Sequence, residues 1–268
     1  MPKQKRVYYY KNELTDDFAE NNIETKKIPA DFKYVNNNIF FRVSGFLFYH
    51  IIARPLVWVV IRVTYSSRLK NKKVLKAVRN KPHFIYGNHT GDILDAFRPN
   101  TLQFFTRKNY IISNPDAFSI KGIRTLVAML GALPICDGDF RNQKKLLDAI
   151  ETRLSQNASI TVFPEKHIWP YYTKIRPFEA GTLYYPVRFD TPVITLTTTY
   201  QKRRWPFRWI KRPRAVHYLD GPFYPDQSLS KIEARNKLRD EIYNTMVMRS
   251  NAVEQVEYYQ YIKVEEGA

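Results

Sequence analysis

The chain is poor in cysteine and in acidic residues, and both shortages limit the compartment and the kinds of partner that are expected for it. Its one cysteine, Cys136, cannot form a disulfide within the chain, which suits a reducing cytosol, and we expect it to be a small buried side chain. The 25 acidic residues are outnumbered by 43 lysines and arginines, so the formal charge is +18. That excess indicates a polyanionic partner: nucleic acid, an anionic bilayer or a phosphorylated substrate.

A secretory signal and a long charge-free run are also missing. Residues 1–17 contain no apolar core after the basic positions, so no secretory signal is expected. In the apolar stretch at residues 39–63, the longest run without a charged residue is eleven residues, at 43–53, against about 20 needed to span a bilayer. Pro55 would break or kink a helix just after Arg54.

The apolar stretch nevertheless has a helical pattern. On a helix, Arg42, His50 and Arg54 fall within an arc of about 120°, and the remaining positions are apolar. This pattern predicts a helix that lies in the membrane interface with its basic edge toward lipid phosphates. A buried core helix, or a true span with Arg54 reaching the headgroups, is the alternative interpretation.

Two windows of the sequence contain only basic charges. Eleven lysines and arginines lie between Asp31 and Asp92, and a second acid-free window between Asp190 and Asp220 interleaves cations with aromatic residues. A solvated basic face would explain the charges, but the tryptophans need stacked bases or the headgroup layer of a bilayer. Nucleic acid would not require so apolar a segment at 39–63, so we expect a membrane surface and no nucleic acid. The expected membrane contacts are Trp58, Trp205, Trp209, Arg203 and Arg204.

From about residue 65, strand and helix patterns alternate. Strands are predicted at 83–87, 102–107, 132–136, 159–163, 192–200 and 215–221. Helices are predicted at 92–97, 119–130, 140–154 and 181–189, and a capping box of Ser230 and Glu233 begins a long last helix. This alternation predicts an α/β fold with a central, mostly parallel sheet flanked by helices. The expected organisation is a polar lead-in at 1–38, a membrane-associating helical segment at 39–64 and a catalytic domain at 65–268.

The stretch at residues 86–97 carries the first candidate chemistry. His89 lies in a polar turn after a predicted strand, and Asp92 and Asp95 follow it closely. A carboxylate that accepts from one ring nitrogen fixes the tautomer and leaves the other nitrogen to remove a proton. A structural histidine in a turn, with Asp92 as a helix cap, is the alternative. A metal site would need further His or Cys at ligand spacing, so no metal is expected.

The loop at residues 163–176 carries the second group of candidate functional residues. Glu165 emerges at the carboxyl end of a predicted strand, where open α/β sheets place their ligands. The surrounding cations would suit a phosphate monoester. A basic aromatic loop packed on the domain is the alternative. The charged residues of this loop are Lys166, His167, Lys174 and Arg176.

Together these stretches resemble the glycerolipid acyltransferase family, specifically the 1-acylglycerol-3-phosphate acyltransferases. Four blocks of that family occur here in the family's order over about residues 80–200. They are Asn88, His89 and Asp95; the segment 131–136; Phe163, Pro164 and Glu165; and Pro192, Val193 and Ile194.

The sequence departs from the family pattern at several positions. Asp95 lies six residues after His89, one more than usual, and Asp137 stands about where the family has a phosphate-binding arginine. Lys166 replaces the glycine after Glu165, and Ile168 replaces an arginine. These departures indicate a divergent branch of the family.

The resemblance implies a function and roles for individual residues. His89 would be the general base on an acceptor hydroxyl, with Asp95, or Asp92 as a substitute, orienting its ring. The reaction would acylate 1-acylglycerol 3-phosphate from acyl-CoA or acyl carrier protein, without a cofactor, at the cytoplasmic face of the cell membrane. Other lysophospholipids or glycerol 3-phosphate are alternative acceptors, and a nucleic-acid-binding module or a non-catalytic peripheral membrane protein is the alternative class. The glycerol phosphate would be held by Glu165, Lys166, Lys174, Arg176 and, less directly, Arg141.

Overall fold

A computed structural model describes residues 6–19, 28–29, 32–91, 95, 97–102, 107–119, 122, 124–136, 140–205 and 207–264. Within them, the strands are β1 (Val7–Tyr10), β2 (Arg68–Lys70), β3 (His83–Gly87), β4 (Asn109–Ser113), β5 (Ala132–Pro134), β6 (Ser159–Val162), β7 (Val193–Gln201), β8 (Arg214–Phe223) and β9 (Gln260–Lys263). The α-helices are α1 (Ile39–Leu47), α2 (Arg54–Thr64), α3 (Lys73–Ala77), α4 (Asp116–Ser119), α5 (Arg124–Met129), α6 (Phe140–Ser155), α7 (Tyr184–Arg188) and α8 (Lys231–Asn251).

A seven-stranded sheet in the order β2-β8-β7-β3-β6-β4-β5 forms the centre of the molecule. Its neighbouring strands are parallel except for β7 and β8, which are antiparallel. All five residues of β3 and all four of β6 are buried, as expected for parallel strands covered on both faces. The predicted α/β fold with a mostly parallel sheet is therefore confirmed.

The last helix follows its sequence pattern closely. Ser230 and Glu233 form the predicted capping box, and the helix then continues to Asn251. The apolar residues spaced four apart point into the main core on one face of the sheet, where α6 also packs. The buried positions include Ala234, Leu238, Ile242 and Met246.

The stretch at 39–64 forms one helix in which α1 and α2 are joined by a π-helical segment, Phe48–Ala53. The prediction that Pro55 breaks the helix was wrong, because the wider turn ends just before it and Pro55 occupies the first turn of α2, where a missing N–H costs little. By length and composition, Ile39–Thr64 could cross a membrane.

One side of this helix packs on the domain and the other is exposed and apolar. Gly45, Tyr49, Ala53 and Ile61 are buried at spacings of four and eight residues. His50 is buried too, so the expected basic edge of three residues was wrong at this position. The exposed apolar side chains include Phe40, Val43, Leu47, Ile51, Leu56, Trp58 and Val63.

The main departure from the predicted elements lies at the two ends of the described chain. β1 pairs in parallel with β9, although the two strands lie about 250 residues apart in the sequence. This small sheet packs on Trp169, whose indole is stacked at 5.2 Å on Tyr261 and donates to the Asp16 carbonyl. The predicted strand at 102–107 falls largely on residues outside the described ones, and the strand in this region is β4.

Candidate active site

The turn that carries His89 is fixed to the neighbouring strand by Asn88. Its side-chain amide donates to the Thr198 carbonyl at 3.0 Å and accepts from the Thr198 N–H at 2.8 Å. Both partners are buried, so these bonds fix the direction in which the chain leaves β3. Gly87, the last residue of β3, has no side chain because a Cβ there would lie 2.9 Å from the Phe163 ring.

The structure brings His89 and Asp95 together. His89 Nδ1 lies 2.9 Å from Asp95 Oδ2, and the His89 ring is stacked on Phe163 at a centroid distance of 4.6 Å. The His89 side chain is 17% exposed and that of Asp95 only 4%. Because a carboxylate accepts the Nδ1–H, the neutral ring presents Nε2 as the nitrogen that can take a proton.

The Asp95 carboxylate is buried and receives several donors. Burial raises its pKa above the ordinary range, while the His89 ring and the backbone N–H groups of Gly91 and Thr90 act in the opposite direction. The Gly91 N–H donates to the same Oδ2 at 2.8 Å. A positive charge that develops on His89 would therefore meet a fixed anion. Asp92, the alternative partner, lies outside the described residues.

Glu165 contacts the same turn from the next strand. Its Oε2 accepts from the His89 backbone N–H at 3.1 Å and from Arg176 Nη2 at 3.1 Å, and its Oε1 accepts from the Arg176 N–H at 3.0 Å. Burial raises the pKa of Glu165, and Arg176 opposes that rise. The Arg176 guanidinium also donates to the carbonyls of His167 and Glu13.

Two of the substrate-binding candidates face each other inside the protein. The side chains of Glu165 and Arg176 are fully buried in their mutual ion pair. Their contacts fix the loop after β6 against the His89 turn. Sequence reasoning found both residues but could not tell that the pair faces inward.

The remaining cationic candidates are on the surface. Lys166 pairs with Glu179 at 3.3 Å. Its φ of 65° is in the left-handed region, which favours the glycine that the family pattern has at this position. Lys174 is exposed. Arg141 is exposed near the start of α6, which follows β5 in the chain and therefore begins on the same edge of the sheet as His89.

Four of the five membrane candidates are exposed. Trp205 and Trp209 are 84% and 77% exposed, and Trp58 and Arg204 are exposed too. Arg203 is half-buried and donates to Ser66 Oγ at 2.6 Å and to the Thr64 carbonyl at the end of α2. It therefore holds the Trp205 loop beside the apolar helix.

Sequence reasoning missed a buried polar network behind the turn. Thr198 Oγ1 contacts His217 Nδ1 at 2.9 Å, and His217 Nε2 contacts Ser67 Oγ at 3.0 Å. Burial lowers the pKa of His217 well below its usual value, so this ring is a neutral structural group. Tyr200 donates to the Thr90 carbonyl at 3.0 Å. Only the sheet brings these residues together, so no local motif could have identified them.

Among the described residues there is no group of three or more His, Cys, Asp and Glu side chains that could hold a metal ion. The groups that could act chemically at the site are thus one imidazole paired with a carboxylate, and the cations around it. Such a pair can accept a proton from a hydroxyl or a water molecule.

Comparisons with known proteins identify the family of the chain. The model of the acyltransferase family matches residues 47–199. The fold is similar to the crystal structure of PlsC, the 1-acyl-sn-glycerophosphate acyltransferase from Thermotoga maritima, with a TM-score of 0.50 and 14% identity over 81% of this chain and 91% of that one. At this identity the likeness concerns the fold. A search of curated proteins finds no match. The family match covers more than half of the chain, and the protein is therefore an enzyme of the acyltransferase family.

Proposed function

We propose that this enzyme transfers a fatty acyl group from an acyl thioester to the free hydroxyl of 1-acylglycerol 3-phosphate, producing phosphatidate for phospholipid biosynthesis. The observation that carries the proposal is the contact of His89 with Asp95, inside the segment that matches the family. The name of PlsC supports the choice of acceptor.

The reaction follows from the geometry of the pair. His89 Nε2 accepts the proton of the acceptor hydroxyl while the hydroxyl oxygen attacks the thioester carbonyl carbon. Asp95 stabilises the imidazolium that forms. The tetrahedral intermediate then collapses, the C–S bond breaks, and the imidazolium returns its proton to the leaving thiolate. The products are an ester and a free thiol, so no redox step, covalent enzyme intermediate or cofactor is needed.

The other residues have supporting roles in this proposal. Glu165 and Arg176 position the His89 turn, since Glu165 accepts the His89 N–H. The exposed cations Lys166, Lys174 and Arg141 are the candidates for the acceptor phosphate. The thioester is carried by coenzyme A or acyl carrier protein.

The enzyme would act at the cytoplasmic face of the cell membrane. The apolar side of the helix at 39–64 and the Trp205 loop would enter the headgroup layer, in the manner of an interfacial helix. Residues 65–268 would form the catalytic domain and 1–38 a lead-in that is partly packed on it.

The test is thiol release with purified enzyme, coenzyme A and acyl carrier protein donors, and a panel of lysophospholipids and glycerol 3-phosphate. We expect turnover with 1-acylglycerol 3-phosphate, and a loss of at least a hundredfold in His89→Ala with unchanged melting temperature and vesicle binding. Full turnover by His89→Ala would contradict the mechanism. Preference for another acceptor would contradict the proposed substrate while leaving the mechanism in place.

A further inference from the structure

A cavity lies at the edge of the sheet opposite to the edge that carries His89. It has a volume of about 600 Å³ and lies between α1, α5 and the starts of β4 and β5. The parallel strands β3, β4 and β6 begin at this edge and end at the edge that carries His89. Lys108, which precedes β4, is therefore on the order of 20 Å from His89 along the strand direction. The cavity is therefore separate from the His89–Asp95 pair.

The lining of this cavity is strongly cationic. Among the described residues that line it, none is Asp or Glu. Like charges around one cavity repel one another, and the half-buried ones among them, Arg107, Lys108 and Arg153, also lose hydration; an anion would relieve both costs. The cations are Lys33, Arg42, Arg107, Lys108, Arg124 and Arg153.

Lys108 and Arg153 are the most enclosed of these cations. Lys108 Nζ donates to the Met129 carbonyl at 2.5 Å and lies 5.1 Å from the ring centres of Tyr49 and Tyr110. Burial, and then the nearby Arg153, lower the pKa of Lys108 to about 7. Arg153 lies over the Tyr110 ring, and its buried Nε has no hydrogen-bond partner. The aromatic rings and carbonyls thus compensate these charges only in part.

The cavity continues into an apolar surface of α1. Asn36, Phe41 and Val43 line both the cationic cavity and an adjoining hollow of about 560 Å³, which is also bordered by Phe40 and Leu47. The hollow contains no charged lining residue among those described. A ligand that fits both parts has an anionic head and an apolar chain. A free phosphate ion would fill only the first part.

We propose that this cavity binds the phosphate headgroup of an anionic phospholipid of the bilayer, with an acyl chain along the exposed side of α1, at a site separate from the one that carries His89. The inference uses the membrane association proposed above but none of the acyl-transfer chemistry. The bound lipid would hold the start of the helix on the domain and anchor the enzyme preferentially to anionic membranes.

The test is native mass spectrometry of the full chain in detergent, titrated with phosphatidylglycerol and, separately, with phosphatidylcholine. We expect wild type to retain phosphatidylglycerol at least tenfold more tightly than the Arg42→Gln/Arg153→Gln variant. The matched control is Lys231→Gln/Arg235→Gln on α8, which removes the same charge elsewhere and should bind as wild type does. Equal affinity of the cavity variant and the control would overturn the proposal.

Two further arms make the result specific. If Arg42→Gln/Arg153→Gln unfolds, Arg42→Gln/Arg124→Gln changes two exposed lining cations and is expected to show the same loss. Inorganic phosphate is added as a competitor, and displacement of the lipid at equal concentration would show a site for soluble phosphate instead. The titration is repeated in His89→Ala, where retention should be unchanged, so a failure of the acyl-transfer proposal is distinguishable from a failure of this one.

Discussion

The Asp95 carboxylate is the group that determines what the His89 ring can do. It is buried, it accepts from the Nδ1 side of His89, and a second donor, the Gly91 N–H, holds the same oxygen. An asparagine of the same shape could present an N–H to Nδ1 and would then favour the wrong tautomer.

Asp95→Asn is therefore expected to lower kcat by about a hundredfold to ten-thousandfold, with a smaller effect on KM. Steady-state thiol release measures both constants. The control is Asp148→Asn, an exposed aspartate on α6, which should keep wild-type rates. A wild-type kcat in Asp95→Asn would show that this carboxylate does not orient the ring.

The ion pair of Glu165 with Arg176 is fully buried, so removing one charge leaves the other without its counter-ion. Glu165→Gln is expected to lower the free energy of unfolding by about 3–5 kcal/mol, measured by urea denaturation. Glu165→Gln/Arg176→Met should recover part of that loss.

A second substitution nearby shows whether the loss of stability comes from the burial of the ion pair or from the loss of a charge alone. Glu179→Gln breaks the exposed contact of Glu179 with Lys166 and should cost less than about 1 kcal/mol. If Glu165→Gln were equally mild and instead raised KM for the acceptor, Glu165 would be a substrate ligand and not a positioning residue.

At the residue scale, the sequence could predict the contact of His89 with Asp95 but not its surroundings. His89 and Asp95 lie six residues apart, so one turn brings them together whatever the rest of the chain does. The Arg176 guanidinium contacts the Glu13 carbonyl, which is distant in sequence, and the Trp169 ring. For this reason the charge pattern alone could not show that Arg176 faces inward.

Among the elements, the helix at 39–64 has the most unusual surface. Leu56 on its outer side is 60% exposed, and most of its outer neighbours are apolar. A soluble domain gains nothing from such a surface, whereas an interfacial helix gains free energy from each apolar side chain that leaves water.

Leu56→Glu should therefore weaken partition onto vesicles by roughly tenfold or more, because an apolar contact is lost and a charge must be kept in the headgroup layer. Co-flotation with vesicles measures the partition. Ile232→Glu is the matched control, since Ile232 on α8 is 64% exposed and lies outside the apolar helix. An equal effect of both substitutions would show that Leu56 is not at the membrane.

The elements that local patterns predicted correctly are those with strong periodicity. β3, β6 and β7 agree with their predicted ranges within one residue, and α8 begins at the predicted capping box, because buried runs and a capping box are local signals. The pairing of β1 with β9 has no local signal, since each strand is short and its partner is at the other end of the sequence. The antiparallel direction of β8 could not be predicted either, because the alternation of strand and helix patterns does not show the direction in which a strand runs.

For the whole molecule, the two basic windows of the sequence meet at the end of the apolar helix. Arg203, beside the exposed tryptophan loop, donates to Ser66 Oγ and to the Thr64 carbonyl at the end of α2. The formal charge of +18 adds a long-range attraction to anionic lipid.

We expect binding to phosphatidylglycerol vesicles to fall at least tenfold between 0.05 and 0.5 M salt, because the Debye length shortens from about 14 Å to about 4 Å. Binding to phosphatidylcholine vesicles should change little, since it depends on apolar contacts, which salt does not screen. Vesicle sedimentation measures both. Equal salt dependence on the two lipids would argue against an electrostatic contribution.

The end of the apolar helix is close to the reacting groups. Ile61 and Tyr65 pack with Tyr200, and Tyr200 holds the carbonyl of Thr90, the residue after His89. On a membrane, as proposed above, the distance between the lipid surface and the imidazole would thus be set by a rigid element. A lysolipid would then reach the His89 ring by diffusion within the bilayer. The rate of turnover would therefore depend on the mole fraction of the acceptor in the bilayer and not on its concentration in the total volume of the sample.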